Sequence, residues 1–331
     1  MWTELELNQL QKLQGQGKSY REIAKALGRT VKSVGLKLDR TEKPDGQSPK
    51  HDVPLDAPAF GYLPIKAFDD SDWHRFGLVS DTHLACKESR EDALHAQYDI
   101  FVKEGITTVL HAGNIVDGYV PRINGASVLC TGIDDQAQYV IDKYPARKGM
   151  VTHFITGDDH EGWWQKEGFN FGAYLAYLAK DQGRHDLNYI GHVEADVEVK
   201  SGSKSTIIKV QHPGGGSAYA RSYAGQKQVE SFQGGEKPAI LVQGHYHVSN
   251  YSIDRNVHII GMPGFQDQTI FARKKRLRME VGGALLEFKT DSQGAVTRCR
   301  LEFSLFFDRG YHKAFLRSDA KILKGHLIIG R

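Results

Sequence analysis

The chain is 331 residues long with 40% hydrophobic and 25% charged residues, which excludes wholesale disorder and leaves room for one large α/β domain and a small companion. Its apolar runs, such as Ala239 to Val242, stop far short of the roughly 18–20 residues a membrane span requires, so the sequence reads as soluble and cytoplasmic. Three widely spaced cysteines, Cys86, Cys130 and Cys299, fit neither a disulfide framework nor a thiolate zinc site, and a net charge of +3 is too small to dictate a polyanionic partner by itself.

From Trp2 to about Arg40 the sequence predicts three short helices. Leu5, Leu10 and Leu13 give the first an apolar side, and Gly15 and Gly17 break it. Ser19 with Glu22 three residues later predicts a capping box at the second, in which the hydroxyl accepts from an orphan helix amide and the carboxylate reaches back. Ile23, Ala24 and Leu27 make its apolar face, Gly28 ends it, and Thr30 caps a third helix carrying Val31, Val34 and Leu38. Lys32, Lys37 and Arg40, with Arg29 just before them, place cations where a helix can meet phosphates. The stretch GKSYREIAKALGRTVKSVGLKLDR resembles Myb/SANT-like helix-turn-helix DNA-binding modules over about 40 residues, and the resemblance implies DNA as a partner. A small helical appendage for protein contacts is the plainer alternative. Pro44, Pro49, Pro54, Pro58 and Pro64 then predict a linker or extended arm over 41–71.

The remainder, 72–331, repeats one pattern: an apolar run of strand character that stops in residues able to ligate a metal. Phe76–Val79 leads to Asp81 and His83, and Thr107–Leu110 leads to His111, Asn114 and Asp117. Val151–Ile155 leads to Asp158, Asp159, His160 and Glu161. Thr206–Val210 leads to His212, and Ala239–Val242 leads to His245 and His247. Glu91–Glu104 between the first two runs reads as a crossover helix for parallel strands. In open α/β structures side chains gather beyond the carboxyl ends of strands, so these five ends are expected to converge. Asp81/His83 and His245/His247 are separated by one residue, so extended backbone would turn each pair to one side. Imidazole and carboxylate donors without thiolate suit manganese first, with zinc, iron or magnesium as alternatives.

Lesser candidates surround these. His111 and His153 read as core or supporting residues, Asp117 as a brace for its loop, and Asp158 as a support behind the ligands. Trp163 and Trp164 suit either core packing or a wall beside a substrate, and Arg221, after the glycine-rich HPGGG stretch, suits either a phosphate clamp or a surface loop. ARKKRLR, Ala272 to Arg278, is the densest charge run and reads as a solvated face before a nucleic-acid contact.

Taken in order, DTH at Asp81, GNIVD at Gly113, DHE at Asp159, the single His212 and GHYH at Gly244 resemble the signature of the calcineurin-like metallophosphoesterase superfamily. The resemblance covers roughly Phe76 to Gly264 and implies a four-layer α-β-β-α sandwich with two divalent ions at one edge. It implies that Asp81, His83 and His247 bind the first ion and that Asp159, His212 and His245 bind the second. Asn114 stands where the family has a bridging aspartate, and His160 where it has the histidine that assists the leaving oxygen. Phosphate esters would then be hydrolysed by a hydroxide held between two metals, without a covalent enzyme intermediate. Asn114 departs from the pattern and Asp159 restores the carboxylate count one motif later. That exchange is open to three explanations: a natural swap that keeps the charge, a deliberately inactivated variant, or a decayed site, the last least favoured because the histidines are retained. With the helix-turn-helix, the expected function is a nuclease or nucleic-acid phosphodiesterase away from membranes, with DNA as partner and a homodimer as one option. The alternatives are a phosphomonoesterase or nucleotide phosphodiesterase, and a catalytically weak DNA-binding protein.

Overall fold

The computed structural model describes residues 3–16, 18, 20–29, 61–66, 73–201, 204–216, 218–306, 322–323 and 326–327. The chain divides into two units, Met1–Ala57 and Pro58–Arg331. In the first, helices Glu4–Gly15 and Tyr20–Ala26 pack Leu10, Ile23 and Ala24 into a small core, with Leu7, Leu13 and Leu27 against it. A reciprocal cap starts the first helix: the Glu6 amide donates to Thr3 Oγ1 at 3.3 Å and the Thr3 amide to Glu6 Oε2 at 2.8 Å. This Thr3–Glu6 box precedes the one that sequence singled out, whose Ser19 lies outside the described residues. Gly28 leaves the second helix at φ +61°, a left-handed backbone that suits glycine. Arg29 then forks onto Glu6, with Nε to Oε1 at 3.0 Å and Nη2 to Oε2 at 3.1 Å, so its charge is engaged within the unit. The expected third helix, with Lys32, Lys37 and Arg40, lies outside the described residues.

In the second unit, apolar strands build two six-stranded sheets. One contains β2 (Trp73–Val79), β3 (Thr108–Ala112), β4 (Val151–Thr156), β5 (Leu187–His192), β11 (Gly282–Thr290) and β12 (Val296–Leu305), in the order β12-β11-β2-β3-β4-β5. The other contains β1 (Gly61–Lys66), β6 (Glu194–Ser201), β7 (Lys204–Gln211), β8 (Ile240–Gln243), β9 (Asn250–Asp254) and β10 (Val257–Gly261), in the order β1-β6-β7-β8-β10-β9. The five runs expected from sequence are β2, β3, β4, β7 and β8. Strands β2, β3 and β4 are mutually parallel, as are β7 and β8.

The two sheets bury their facing sides together. Phe76, Leu78, Leu110, Ile155 and Leu286 from one sheet meet Val197, Ile208, Val210, Ile240 and Val242 from the other. Each such side chain contributes roughly 1.5–3 kcal/mol on complete burial, which makes this inner layer the main anchor for the strand ends. Helices Glu91–Lys103, Ile133–Lys143 and Phe171–Asp181 cover the first sheet from outside, and Tyr223–Ser231 covers the second through Val229 on Leu241 and Ile259. The architecture is a four-layer α-β-β-α sandwich. Gly77 shows why the outer layer sits so close: a Cβ there would lie 2.8 Å from the ring of Phe101.

One element is more regular than the sequence reading. Gly61–Lys66, within the stretch expected to be a linker or an extended arm, is a strand paired parallel to β6. Pro64 is compatible because β1 is the sheet's edge, where one side of the strand needs no ladder donor.

A candidate metal centre at the strand ends

The carboxyl ends of β2, β3, β4, β7 and β8 deliver their side chains to one place. Asp81, His83 and His247 form one close group, and Asp159, His212 and His245 another. Asp81 Oδ1 lies 3.3 Å from His247 Nε2, 3.7 Å from His83 Nε2 and 3.9 Å from His212 Nε2, so one carboxylate oxygen faces both groups. Asp159 Oδ1 is 3.4 Å from His212 Nε2, and its Oδ2 is 3.4 Å from His245 Nδ1. Asn114 points to the same space: a Cβ placed on Gly157 would collide with Asn114 Oδ1 and lie 2.7 Å from His212 Cδ2 and 3.1 Å from Asp159 Oδ1. Only a glycine leaves that space clear for the three side chains.

The backbone is bent to make this arrangement. Among the described residues eleven non-glycine positions have positive φ, and six of them are Asp81, His83, Asn114, His160, His245 and His247. Such conformations cost roughly 1–3 kcal/mol each and persist only where neighbouring structure enforces them. The enforcement is visible in hydrogen bonds between loops. The Asp81 amide donates to Gly113 O at 2.9 Å, the His83 amide to Asn114 O at 3.0 Å, and the His245 amide to Asp81 Oδ2 at 2.9 Å. The expectation that Asp-x-His and His-x-His would place both members on one side through extended backbone is therefore replaced: left-handed turns do the aiming.

Three of the imidazoles have one nitrogen committed to the protein, whereas His247 turns Nε2 to Asp81 and leaves Nδ1 buried without a hydrogen-bond partner. His83 Nδ1–H donates to Asp117 Oδ1 at 3.0 Å, His212 Nδ1–H to Ala112 O at 2.6 Å, and His245 Nε2–H to Gly215 O at 2.7 Å. The second nitrogen of each faces the common space. Asp81 Oδ1, His83 Nε2, Asn114 Oδ1, Asp159 Oδ1 and His212 Nε2 are all buried without a hydrogen-bond partner. Five orphaned atoms converging on one point would be a severe desolvation penalty for a protein that left them so. A set of imidazole nitrogens, carboxylate oxygens and one amide oxygen, each held from behind, is what a divalent ion of the manganese, iron or zinc type accepts. The residues present therefore fit the group that the sequence suggests.

The electrostatics agree. Burial disfavours a charged His83, but Asp117 and Asp81 outweigh it and raise its pKa to about 10. Burial likewise opposes charge on His212, and Asp81 and Asp159 raise it to about 9. Against the same burial penalty, imidazoles hold Asp81, Asp117 and Asp159 far below the usual carboxylate range. Protons thus fill the role of a cation between these carboxylates when no metal is bound.

His160 sits at the mouth. Its Nδ1–H donates to Asp117 O at 2.8 Å, its ring stacks on Trp163 with centroids 4.9 Å apart, and its Nε2 is 4.0 Å from Asp159 Oδ2. Asp117 thereby does more than brace a loop, because it orients both His83 and His160. Glu161 has a role the sequence reading missed: its Oε1 accepts from the amides of Asn114 at 2.9 Å, Gly157 at 3.0 Å and Ile115 at 3.4 Å, tying the ends of β3 and β4 together. Burial raises its pKa to about 7. Other candidates fall away from the centre. Asp158 pairs with Lys166 on the surface at 2.9 Å, Trp164 is buried against Phe171, and burial drives His111 and His153 down to about 3 and about 4, as neutral core residues. The three cysteines are free.

No protein-family model and no curated protein matches the chain. Among solved structures, it is similar to a novel archaeal phosphodiesterase at 12% identity over 70% of this chain and 99% of that one, with a TM-score of 0.39. Vps29 from Entamoeba histolytica, complexed with zinc, matches at 12% identity over 70% and 98%, with a TM-score of 0.32. GAP50, the anchor in the inner membrane complex of Plasmodium, matches at 14% identity over 69% and 88%, with a TM-score of 0.37. At such identities and scores the likenesses decide nothing about chemistry, which rests on the side chains above. No described helix is long and apolar enough to cross a membrane.

Proposed function

We propose that the chain is a metal-dependent phosphoesterase of the calcineurin-like kind that hydrolyses phosphodiesters, nucleic acid being the expected substrate class. The observation that supports this most is the convergence of buried, partnerless donor atoms from Asp81, His83, Asn114, Asp159 and His212 on one space at the strand ends. Asp81, His83 and His247 would hold one divalent ion and Asp159, His212 and His245 a second. Ions bound there supply Lewis acidity toward phosphoryl oxygens and lower the pKa of the attacking water.

The chain's own residues do the rest. Asp117 fixes the tautomer of His83 and the direction of His160. His160, with Nδ1 tied back and Nε2 turned toward the mouth, holds a proton that it can deliver to the departing oxygen. Trp163 covers one face of that ring, with centroids 4.9 Å apart. Asn114 contributes a neutral oxygen where a carboxylate would bridge, so negative charge at the centre rests on Asp81 and Asp159.

Asn114 also favours the second reading, a DNA-binding protein that retains metal and turns over little. The two are separated by stripping the chain with chelator, reloading it with manganese, and assaying bis(p-nitrophenyl) phosphate, p-nitrophenyl phosphate, and single- and double-stranded DNA, beside Asn114→Asp. Manganese-dependent cleavage of diesters, altered in rate by Asn114→Asp, is expected. A metal-loaded chain with no turnover of any ester in either form leaves only the non-enzymatic reading. Equal turnover in both forms removes position 114 from the bridge.

A further inference from the structure

The cation run of Ala272 to Arg278 has no part in the chemistry above. In the structure it borders a cavity of about 320 Å³ in the second unit, with Tyr219, Arg221, Tyr246, Lys275, Arg276 and Arg278 among its lining. Two stretches of chain join this cavity to the metal centre. One is the glycine-rich stretch His212 to Gly216, which is followed in sequence by Tyr219 and Arg221. The other is Tyr246 itself, whose neighbours in sequence, His245 and His247, belong to the two ligand groups. The loops are tied together, with His245 Nε2–H donating to Gly215 O at 2.7 Å and the Tyr246 hydroxyl to Gly214 O at 3.4 Å. Tyr246 thus belongs both to the cavity wall and to the short loop that carries a ligand from each group.

The lining has a distinct chemistry. Arg221 is neutralised by Glu280 at 3.2 Å, but Lys275, Arg276 and Arg278 have no carboxylate partner among the described residues. Three such cations within four residues repel one another, and the helix Ile270–Lys275 ends in a left-handed turn at Arg276, φ 57°, that gathers them at the rim. Tyr219 stands fully exposed beside them, and Tyr246 forms part of the wall. A lone phosphate needs no aromatic surface, and a duplex keeps its base faces stacked internally. Cations for phosphates together with the open face of Tyr219 for a base match a single strand.

We propose that this cavity, built in part from the loops that carry His212, His245 and His247, holds single-stranded nucleic acid; the proposal rests on the phosphodiesterase reading and names its substrate. The test uses the full chain and a fluorescent single-stranded oligonucleotide, followed by anisotropy without metal and by steady-state kinetics with manganese. Combining Lys275→Ala, Arg276→Ala and Arg278→Ala should weaken binding at least tenfold at low salt. It should flatten the slope of log affinity on log salt by about 2, since each lost phosphate contact removes about 0.7. Oligonucleotide KM should rise relative to that for bis(p-nitrophenyl) phosphate by a similar factor, and Tyr219→Ala should cost about tenfold in oligonucleotide affinity.

Unchanged affinity and salt slope in the triple variant would overturn the proposal. So would inorganic polyphosphate of matched charge competing as well as the oligonucleotide, or duplex bound as tightly as single strand and lost to the same degree. If the wild type turns over neither ester, the phosphodiesterase reading fails by itself, and the anisotropy experiment still decides what the cavity holds.

Discussion

The two ligand groups differ in their access to water. Side chains of Asp81, His83 and His247 are 0%, 2% and 9% exposed, whereas in the other group only His212 is as buried, at 1%, and Asp159 and His245 are 34% and 18% exposed. The two groups are also braced differently: in the closed one Ser80 Oγ donates to Asp81 Oδ2 at 2.5 Å, the His245 amide donates to the same oxygen and Asp117 holds His83, while in the open one the bracing falls on His212 and His245, tied to Ala112 O and Gly215 O. Asp159 is met by imidazoles and faces the mouth. A buried, pre-oriented set loses little on binding an ion and screens it from exchange. An open set keeps room for a phosphoryl oxygen to enter. On the proposed two-ion reading, the difference predicts a division of labour, with a resident ion in the closed half and an exchangeable one in the open half.

The strongest way to break that comparison is His83→Ala. If the closed half holds the resident ion, the variant should purify without it and lose several kcal/mol of transition-state stabilisation, on the order of a thousandfold in kcat/KM. Metal analysis beside turnover decides, and wild-type metal content in the variant would put the resident ion elsewhere. Next in size is His160→Ala, which should leave metal content intact and lower DNA turnover by about a hundredfold or more, because proton delivery to a poor leaving group is lost. Turnover of bis(p-nitrophenyl) phosphate, whose leaving group departs without a proton, should change far less. An equal fall for both substrates would assign His160 a structural role. Smaller again is Asp117→Asn, which keeps shape but gives up the charge behind His83. Metal affinity in the closed half should fall by about 10–100-fold, read by competition with a fluorescent chelator. Weakening of the open half instead would reverse the assignment.

Much of this site was legible from sequence, because apolar runs that end in Asp, His and Asn residues can satisfy those groups only where strand ends meet. The five runs became β2, β3, β4, β7 and β8, and the crossover helix expected at Glu91–Glu104 is observed at Glu91–Lys103. What sequence could not show is carried by contacts far apart in the chain. Asp117 acting on two histidines, Glu161 strapping three amides, and the left-handed turns at Asp81, His83, His245 and His247 depend on loops brought together by the two sheets. Gly61–Lys66 was hidden for a local reason, since Pro64 argues against a strand unless the strand is known to lie at an edge. Arg221 and the Ala272–Arg278 run lay too far apart in sequence to suggest one cavity.

The gentlest test reads protons instead of rates. In the metal-free chain His83 and His212, with pKa values raised to about 10 and about 9, are charged at neutral pH, one in each half of the centre. Their unfolded values lie near 6.5, so the stability they contribute is fully present below about pH 6.5 and is lost as pH rises through 9 to 10. The depressed carboxylates Asp81, Asp117 and Asp159 act oppositely: their contribution is present above about pH 4 and lost on acidification. Metal-free protein should therefore be most stable between these limits and weaken in alkali. An ion can bind His83 or His212 only after displacing a proton, so loading at pH 7 should release about one proton per half, and affinity should climb with pH until those groups have titrated. Titrating manganese into weakly buffered, chelator-stripped protein measures both stages. Proton release confined to the first equivalent would show that one half alone is preloaded with a proton, and the comparison between the closed and open halves would then extend to the charge each carries before its ion arrives.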